Sequence, residues 1–186
     1  MSINATLKDT KDKMDKAIEA FRHDLTTVRT GRANPAILED ITVDYYGVPT
    51  PINQVGNIST PEPRLLVIQP WDKSVITAIE KAILAANLGI NPANDGQLIR
   101  LPIPQLTEER RKELVKQVHK KAEEFKVEVR NIRRQANDEL KKLGKQDGIS
   151  EDAVKGAEEE IQDMTRDYAE KIDEITEHKE EAILEV

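Results

Sequence analysis

The residues of this 186-residue chain best suited to chemistry with a partner are the arginines of Val129-Arg130-Asn131-Ile132-Arg133-Arg134. A guanidinium offers a planar fork of five donors that fits phosphate oxygens and lies flat against bases. At about 100° per residue, Lys126, Arg130, Arg133, Asn137 and Lys141 share one sector of a helix, with Arg134 at its edge. No acidic residue stands three or four positions from Arg130 or Arg133, and Arg130 with Arg134 is a like-charged i,i+4 pair costing about 0.2–0.5 kcal/mol. Two readings follow: the flank binds RNA, or an acidic helix elsewhere in the chain neutralises it. Arg29 and Arg32, on either side of Gly31, present the same choice between an RNA contact and a local role in capping a helix or bridging a turn.

The other candidates point away from catalysis. Without cysteine there is no thiol nucleophile, disulfide or thiolate-bound zinc. His119 and Glu123 have helical ligand spacing, and His178 lies among Glu174, Glu177 and Glu181, but neither has a second histidine nearby, so surface positions are expected rather than a metal site. No glycine-rich phosphate loop is present. Trp71 and Tyr45-Tyr46 are expected to pack at the core or its rim, with a binding patch as the alternative. The chain is expected to be no enzyme and to need no cofactor or metal.

The elements that position these residues follow from periodicity. Val118, Ala122, Phe125, Val129, Ile132, Ala136 and Leu143 step by threes and fours, broken only where Glu139 takes a seam position beside Leu140, which predicts one helix from Thr107 to Leu143 with Thr107 as its cap. Leu7, Met14, Phe21 and Val28 recur by sevens in a first helix from Ile3 to Val28, ending near Gly31 and Pro35. Val154, Ile161, Tyr168, Ile175 and Ala182 do the same in a third, capped by Ser150. Three long amphipathic helices predict an antiparallel three-helix bundle.

Between the first two helices the period changes, and all nine prolines fall there. Ile41–Tyr45, part of Ile52–Ile58, Arg64–Gln69 and Gln97–Ile103 read as strands; a helix capped by Asp72 and closed by Gly89 lies among them. The predicted class is α+β: a discontinuous bundle of residues 1–31 and 106–186 holding an inserted small β/α/β domain of residues 32–105. Two chain crossings, at Gly31, Asn34 and Pro35 and at Pro102 and Pro104, would form a two-stranded hinge.

A net charge of -7 argues at first against nucleic acid. Its distribution reverses that: Glu108–Lys145 has 13 basic against 8 acidic residues, whereas Gln146–Val186 has 4 against 15. No apolar run reaches the roughly 18 to 20 residues of a membrane span and the N-terminus lacks signal-peptide features, so a cytoplasmic location is expected. A helical adaptor for protein partners is the rival from another class.

Several stretches carry a resemblance. Arg29-Thr30-Gly31-Arg32-Ala33-Asn34-Pro35, Asp44-Tyr45-Tyr46-Gly47-Val48-Pro49-Thr50-Pro51, Leu88-Gly89-Ile90-Asn91-Pro92, Pro104-Gln105-Leu106-Thr107-Glu108-Glu109-Arg110-Arg111 and Val129–Arg134 resemble, in order, the bacterial ribosome recycling factor family. Asn87 stands where relatives often carry an acidic residue, and Gln135 where many carry a charged one. The resemblance implies an L-shaped, tRNA-like outline. It implies a translation factor that binds the large ribosomal subunit after termination and, with elongation factor G and GTP, splits the ribosome so that mRNA and tRNA leave. Arg133 would be the leading contact to 23S ribosomal RNA, supported by Arg130 and Arg29 and then by Arg134 and Arg32. The smaller domain and hinge would receive the push from elongation factor G; a monomer is expected, with no DNA or membrane partner.

Overall fold

The computed structural model describes residues 2–185; Met1 and Val186, the outer ends of the bundle as read from the sequence, lie outside the described residues. By their internal contacts the residues form two compact units, Met1–Val28 with Glu113–Glu181, and Arg29–Lys112 with Ala182–Val186. The period change in the sequence lies near Gly31 and Leu106, whereas these units part at Val28/Arg29 and Lys112/Glu113.

The first unit is built on three helices: α1 (Ile3–Thr26), α3 (Glu108–Leu143) and α4 (Glu151–Leu184). Each starts where a hydroxyl replaces a missing backbone partner. Ser2 Oγ accepts the Ala5 amide at 3.0 Å, Thr107 Oγ1 that of Arg110 at 3.1 Å, and Ser150 Oγ that of Ala153 at 3.1 Å. Ile3 and Leu7 pack with Ala136, Leu140, Leu143, Ala157 and Ile161, which sets α3 antiparallel to α1 and α4. Phe21 and Phe125 meet with ring centroids 5.2 Å apart.

The seam of α4 departs from the sevens in its sequence. Ile161, Thr165, Tyr168, Ile172 and Thr176 are buried, while Ile175 is only half-buried. The physical reason is that threonine hides its polarity inside the helix: Thr165 Oγ1 donates to Ile161 O and Thr176 Oγ1 to Ile172 O, both at 2.7 Å. Thr10 does the same toward Thr6 O in α1.

The second unit holds a two-stranded sheet, β1 (Thr42–Tyr45) with β2 (Val48–Pro51), and a four-stranded antiparallel sheet in the order β3-β4-β6-β5. Its strands are β3 (Gly56–Glu62), β4 (Leu65–Pro70), β5 (Ala93–Asn94) and β6 (Ile99–Pro102). Central β4 places Leu66 and Ile68 in a core with Ile99 and Leu101 of β6 and with Ile79 and Ile83 of α2 (Ile76–Ala85). Asp72 caps as expected, but on a short 3-10 turn ahead of α2. Closure of α2 begins before Gly89, at Asn87, whose φ of 52° is one of the few left-handed conformations a residue other than glycine adopts readily. Gly56 is required by space: a Cβ there would lie 2.6 Å from the Gln69 carbonyl oxygen.

Two expectations for the aromatics change. Tyr46 is 73% exposed and Trp71 65%, so neither packs into the core; Tyr45 is half-buried. At the edges of the insertion, the Ala33 amide donates to Pro63 O at 2.7 Å and the Ile103 amide to Arg64 O at 2.8 Å, so entry and exit are tied to adjacent carbonyls. Among the described residues no helix is long and apolar enough to cross a membrane.

Candidate nucleic-acid interface

Helix α3 presents its arginines because its other face is occupied. Val129, Ile132 and Ala136 are buried in the first unit, which turns Arg130 and Arg134 to solvent and leaves Arg133 half-buried between seam and surface. The acidic helix α4 neutralises part of this flank. Lys126 Nζ lies 2.5 Å from Asp173 Oδ1, but the α4 residue opposite Arg133 is the neutral Gln162. Arg133 Nη1 stands 3.5 Å from Gln162 Oε1, the outer limit of a hydrogen bond, and among the described residues no carboxylate pairs with Arg133 or Arg134.

Arg130 differs from its sequence reading. Its Nη1 reaches Glu123 Oε1 at 3.3 Å, an acid seven positions back rather than three or four. Both side chains are at least half exposed, so the pair is worth about 0–1 kcal/mol and an incoming phosphate competes with it at small cost. One residue beyond the arginines carries a signal not singled out as a contact: Asn137 has its Oδ1 buried without a hydrogen-bond partner. An unmet buried acceptor costs on the order of 1–3 kcal/mol.

Arg29 and Arg32 fall in the second unit. Arg29 Nη1 donates to Leu88 O at 3.4 Å while Nη2 is buried without a partner. Burial first, and the neighbouring Arg110 charge second, push the Arg29 guanidinium below its ordinary pKa. Its cation is thus held in a site that stabilises it poorly. Arg32 is instead satisfied, with Nη2 at 2.5 Å from Glu185 Oε1 on an exposed surface. The structure therefore gathers Arg130, Arg133 and Arg134 on one unit, and places Arg29 and Arg32 on the other.

All five residues read as a hinge fall within the second unit, three of them at regular elements. Asn34 Oδ1 caps the 3-10 turn that begins at Pro35, and Pro102 ends β6 opposite Leu65. Gly31, with φ of 52°, and Pro104 lie outside regular elements. His119 Nε2 sits 3.3 Å from Glu180 Oε2, and among the described residues no group of three metal-binding side chains gathers.

A family model described as "Ribosome recycling factor" matches residues 21–184. The ribosome-recycling factor of Geobacillus sp. (strain WCH70) is 58% identical over 184 residues, covering 99% of this chain and all of the relative. The chain belongs to the ribosome recycling factor family. The ribosome-recycling factor of Bacillus subtilis (strain 168) is 57% identical over 180 residues, 97% of each chain. A solution structure of the ribosome recycling factor superposes with a TM-score of 0.82 at 43% identity, covering 100% of this chain and 99% of that one. A second, with a TM-score of 0.69 at 48% identity and 99% coverage of this chain, is described as the T. thermophilus ribosome recycling factor with E. coli elongation factor G bound to the E. coli post-termination complex. The α+β fold expected from periodicity, long helices joined to a small sheet domain, is that of the ribosome recycling factor family.

Proposed function

We propose that this chain is a translation factor that disassembles post-termination ribosomes. With elongation factor G and its GTP hydrolysis it splits the ribosome into subunits, and mRNA and tRNA are released. The observation that carries the reading is identity along the whole chain to ribosome-recycling factors, together with a structural neighbour described alongside elongation factor G on a post-termination complex. The chain acts as a monomer in the cytoplasm and catalyses no reaction itself, the GTP chemistry belonging to its partner.

Residues 1–31 and 106–186 form the ribosome-holding domain, and 32–105 the inserted one. Arg133 and Arg134 contact phosphates of 23S ribosomal RNA in the large subunit, a role supported by their lack of carboxylate partners among the described residues. Arg130 joins them by exchanging Glu123 for phosphate. Arg29 contributes when its guanidinium turns away from the Leu88 carbonyl, and Arg32 when Glu185 releases it. Bending at Gly31 and Pro104, with Asn34, Pro35 and Pro102 as its fixed borders, passes the push of elongation factor G into splitting.

The test is a subunit-splitting assay with elongation factor G and GTP, run on the wild-type chain and Arg133→Glu. Splitting by the wild type and loss of large-subunit co-sedimentation by the variant, with its helicity unchanged, are expected. A variant that still binds in a salt-sensitive way and still recycles would reject the assignment of Arg133.

A further inference from the structure

The exposed aromatic corner of the second unit has a construction that core packing does not explain. Tyr46-Gly47 joins β1 to β2 with φ of 52° and 83°, the two-residue turn in which both residues are left-handed and Asn-Gly is the usual pair. Tyrosine is a poor choice for such a position, and strained residues concentrate where a surface has work to do. Two contacts fix its ring. Tyr46 Oη donates to Asp72 Oδ2 at 2.6 Å, and the Tyr45 ring meets it edge-on with centroids 4.7 Å apart at 74°.

Trp71 precedes Asp72 in the chain; its amide donates to Val55 O at 3.1 Å, while its indole stands in solvent. The carboxylates here lack countercharges. Asp72 takes only neutral donors, from Tyr46 Oη, Ser74 N and Ser74 Oγ, and Asp44 Oδ1 takes the Gly47 amide at 2.7 Å. No ion pair reaches either one among the described residues, although Lys73 follows Asp72 in the chain. A preset tyrosine face beside anionic oxygens supplies the two halves of a receptor for a guanidinium, which stacks on the ring and directs its fork to the carboxylate.

We propose that Tyr46, Trp71, Asp44 and Asp72 form a docking point for an arginine-bearing basic segment of a protein partner. Nucleic acid is disfavoured by the same carboxylates and by the 4 basic against 7 acidic residues of Ala33–Thr107. The site is distinct from the α3 flank, and its existence does not depend on the recycling reading.

Trp71 is the only tryptophan, so its emission reports on this corner alone. The full-length chain is titrated with a hexa-arginine peptide, a hexa-glutamate peptide and a single-stranded RNA octamer. A saturable change in Trp71 emission is expected with hexa-arginine only. Tyr46→Asn keeps the turn and removes the ring; Asp44→Asn keeps the acceptor for Gly47 and removes the charge. Each is expected to weaken hexa-arginine binding at least fivefold. A response to the RNA, no response to hexa-arginine, or equal affinity in both variants would overturn the proposal.

Discussion

A single neutral side chain leaves Arg133 of α3 without a countercharge. Where Asp173 faces Lys126 an ion pair forms, and where Gln162 faces Arg133 none does. This sets an order among substitutions: Arg133→Ala and Arg134→Ala should each weaken large-subunit binding by about 1–3 kcal/mol, and Arg130→Ala by less because Arg130 first has to leave Glu123. Binding measured across a salt series should show a slope reduced by roughly one for each phosphate that the variant no longer neutralises. The helical sector of these arginines was legible in the sequence because it depends on spacing alone. The Arg130–Glu123 pair spans two turns and the Lys126–Asp173 pair depends on how two helices are in register, so neither was legible.

Two groups give the fold a pH dependence at opposite limits. Tyr168 is pushed up to about 12 by burial and by its hydrogen bond to Asp15. The fold therefore favours the neutral phenol: this stabilisation is complete below the ordinary value of 10.0 and is lost as pH rises through about 12. Asp95 is lowered to about 2, first by the Leu98 and Gln97 amides and then by Arg100, so its contribution is present above the ordinary 3.8 and is lost as pH falls through about 2. Tyr168→Phe should remove the alkaline dependence and Asp95→Asn flatten the acid one, both read from denaturation midpoints across pH. An unchanged alkaline profile in Tyr168→Phe would refute the first assignment.

At the scale of elements, α3 and α4 show where apolar spacing suffices. The α3 stripe closed as its threes and fours predicted, with Leu140, 0% exposed, filling the turn where Glu139 broke the pattern. In α4 the burial of Thr165 and Thr176 was invisible to a search for apolar residues, since their hydroxyls become acceptable inside only through bonds to their own helix. Strands β2 and β5 were missed because proline-rich and two-residue strands carry almost no alternation. Leu140→Ala should destabilise the first unit by about 2–5 kcal/mol in urea titration. Gly56→Ala should destabilise the second, where the added carbon meets a backbone oxygen that cannot move without parting β3 from β4. Amide exchange resolves the two units, and an equal drop in protection in both would contradict their independence.

For the whole molecule, the charge count foretold a basic flank beside an acidic helix, and the resemblance supplied the ribosome that no spacing could name. The proposed coupling between units makes a separate claim. Inserting Gly-Ser-Gly after both Gly31 and Pro104 should leave large-subunit binding within about twofold, because the α3 flank is untouched, yet slow splitting by elongation factor G at least tenfold by making the crossings slack. Undiminished splitting would remove the crossings from the mechanism.

The tie of Ala33 and Ile103 to the neighbouring carbonyls of Pro63 and Arg64 also bears on the order in which the chain folds. About 84 residues, 29–112, separate the end of α1 from the bundle portion of α3, and closing so long a loop costs on the order of 4 kcal/mol by its length alone. If the insertion folds first, those two hydrogen bonds close the loop before any bundle contact forms, and the remaining search is short. In that order the sheet domain is a folding clamp for the helices, and a variant that weakens it, such as Gly56→Ala, should slow the assembly of a bundle it does not enter.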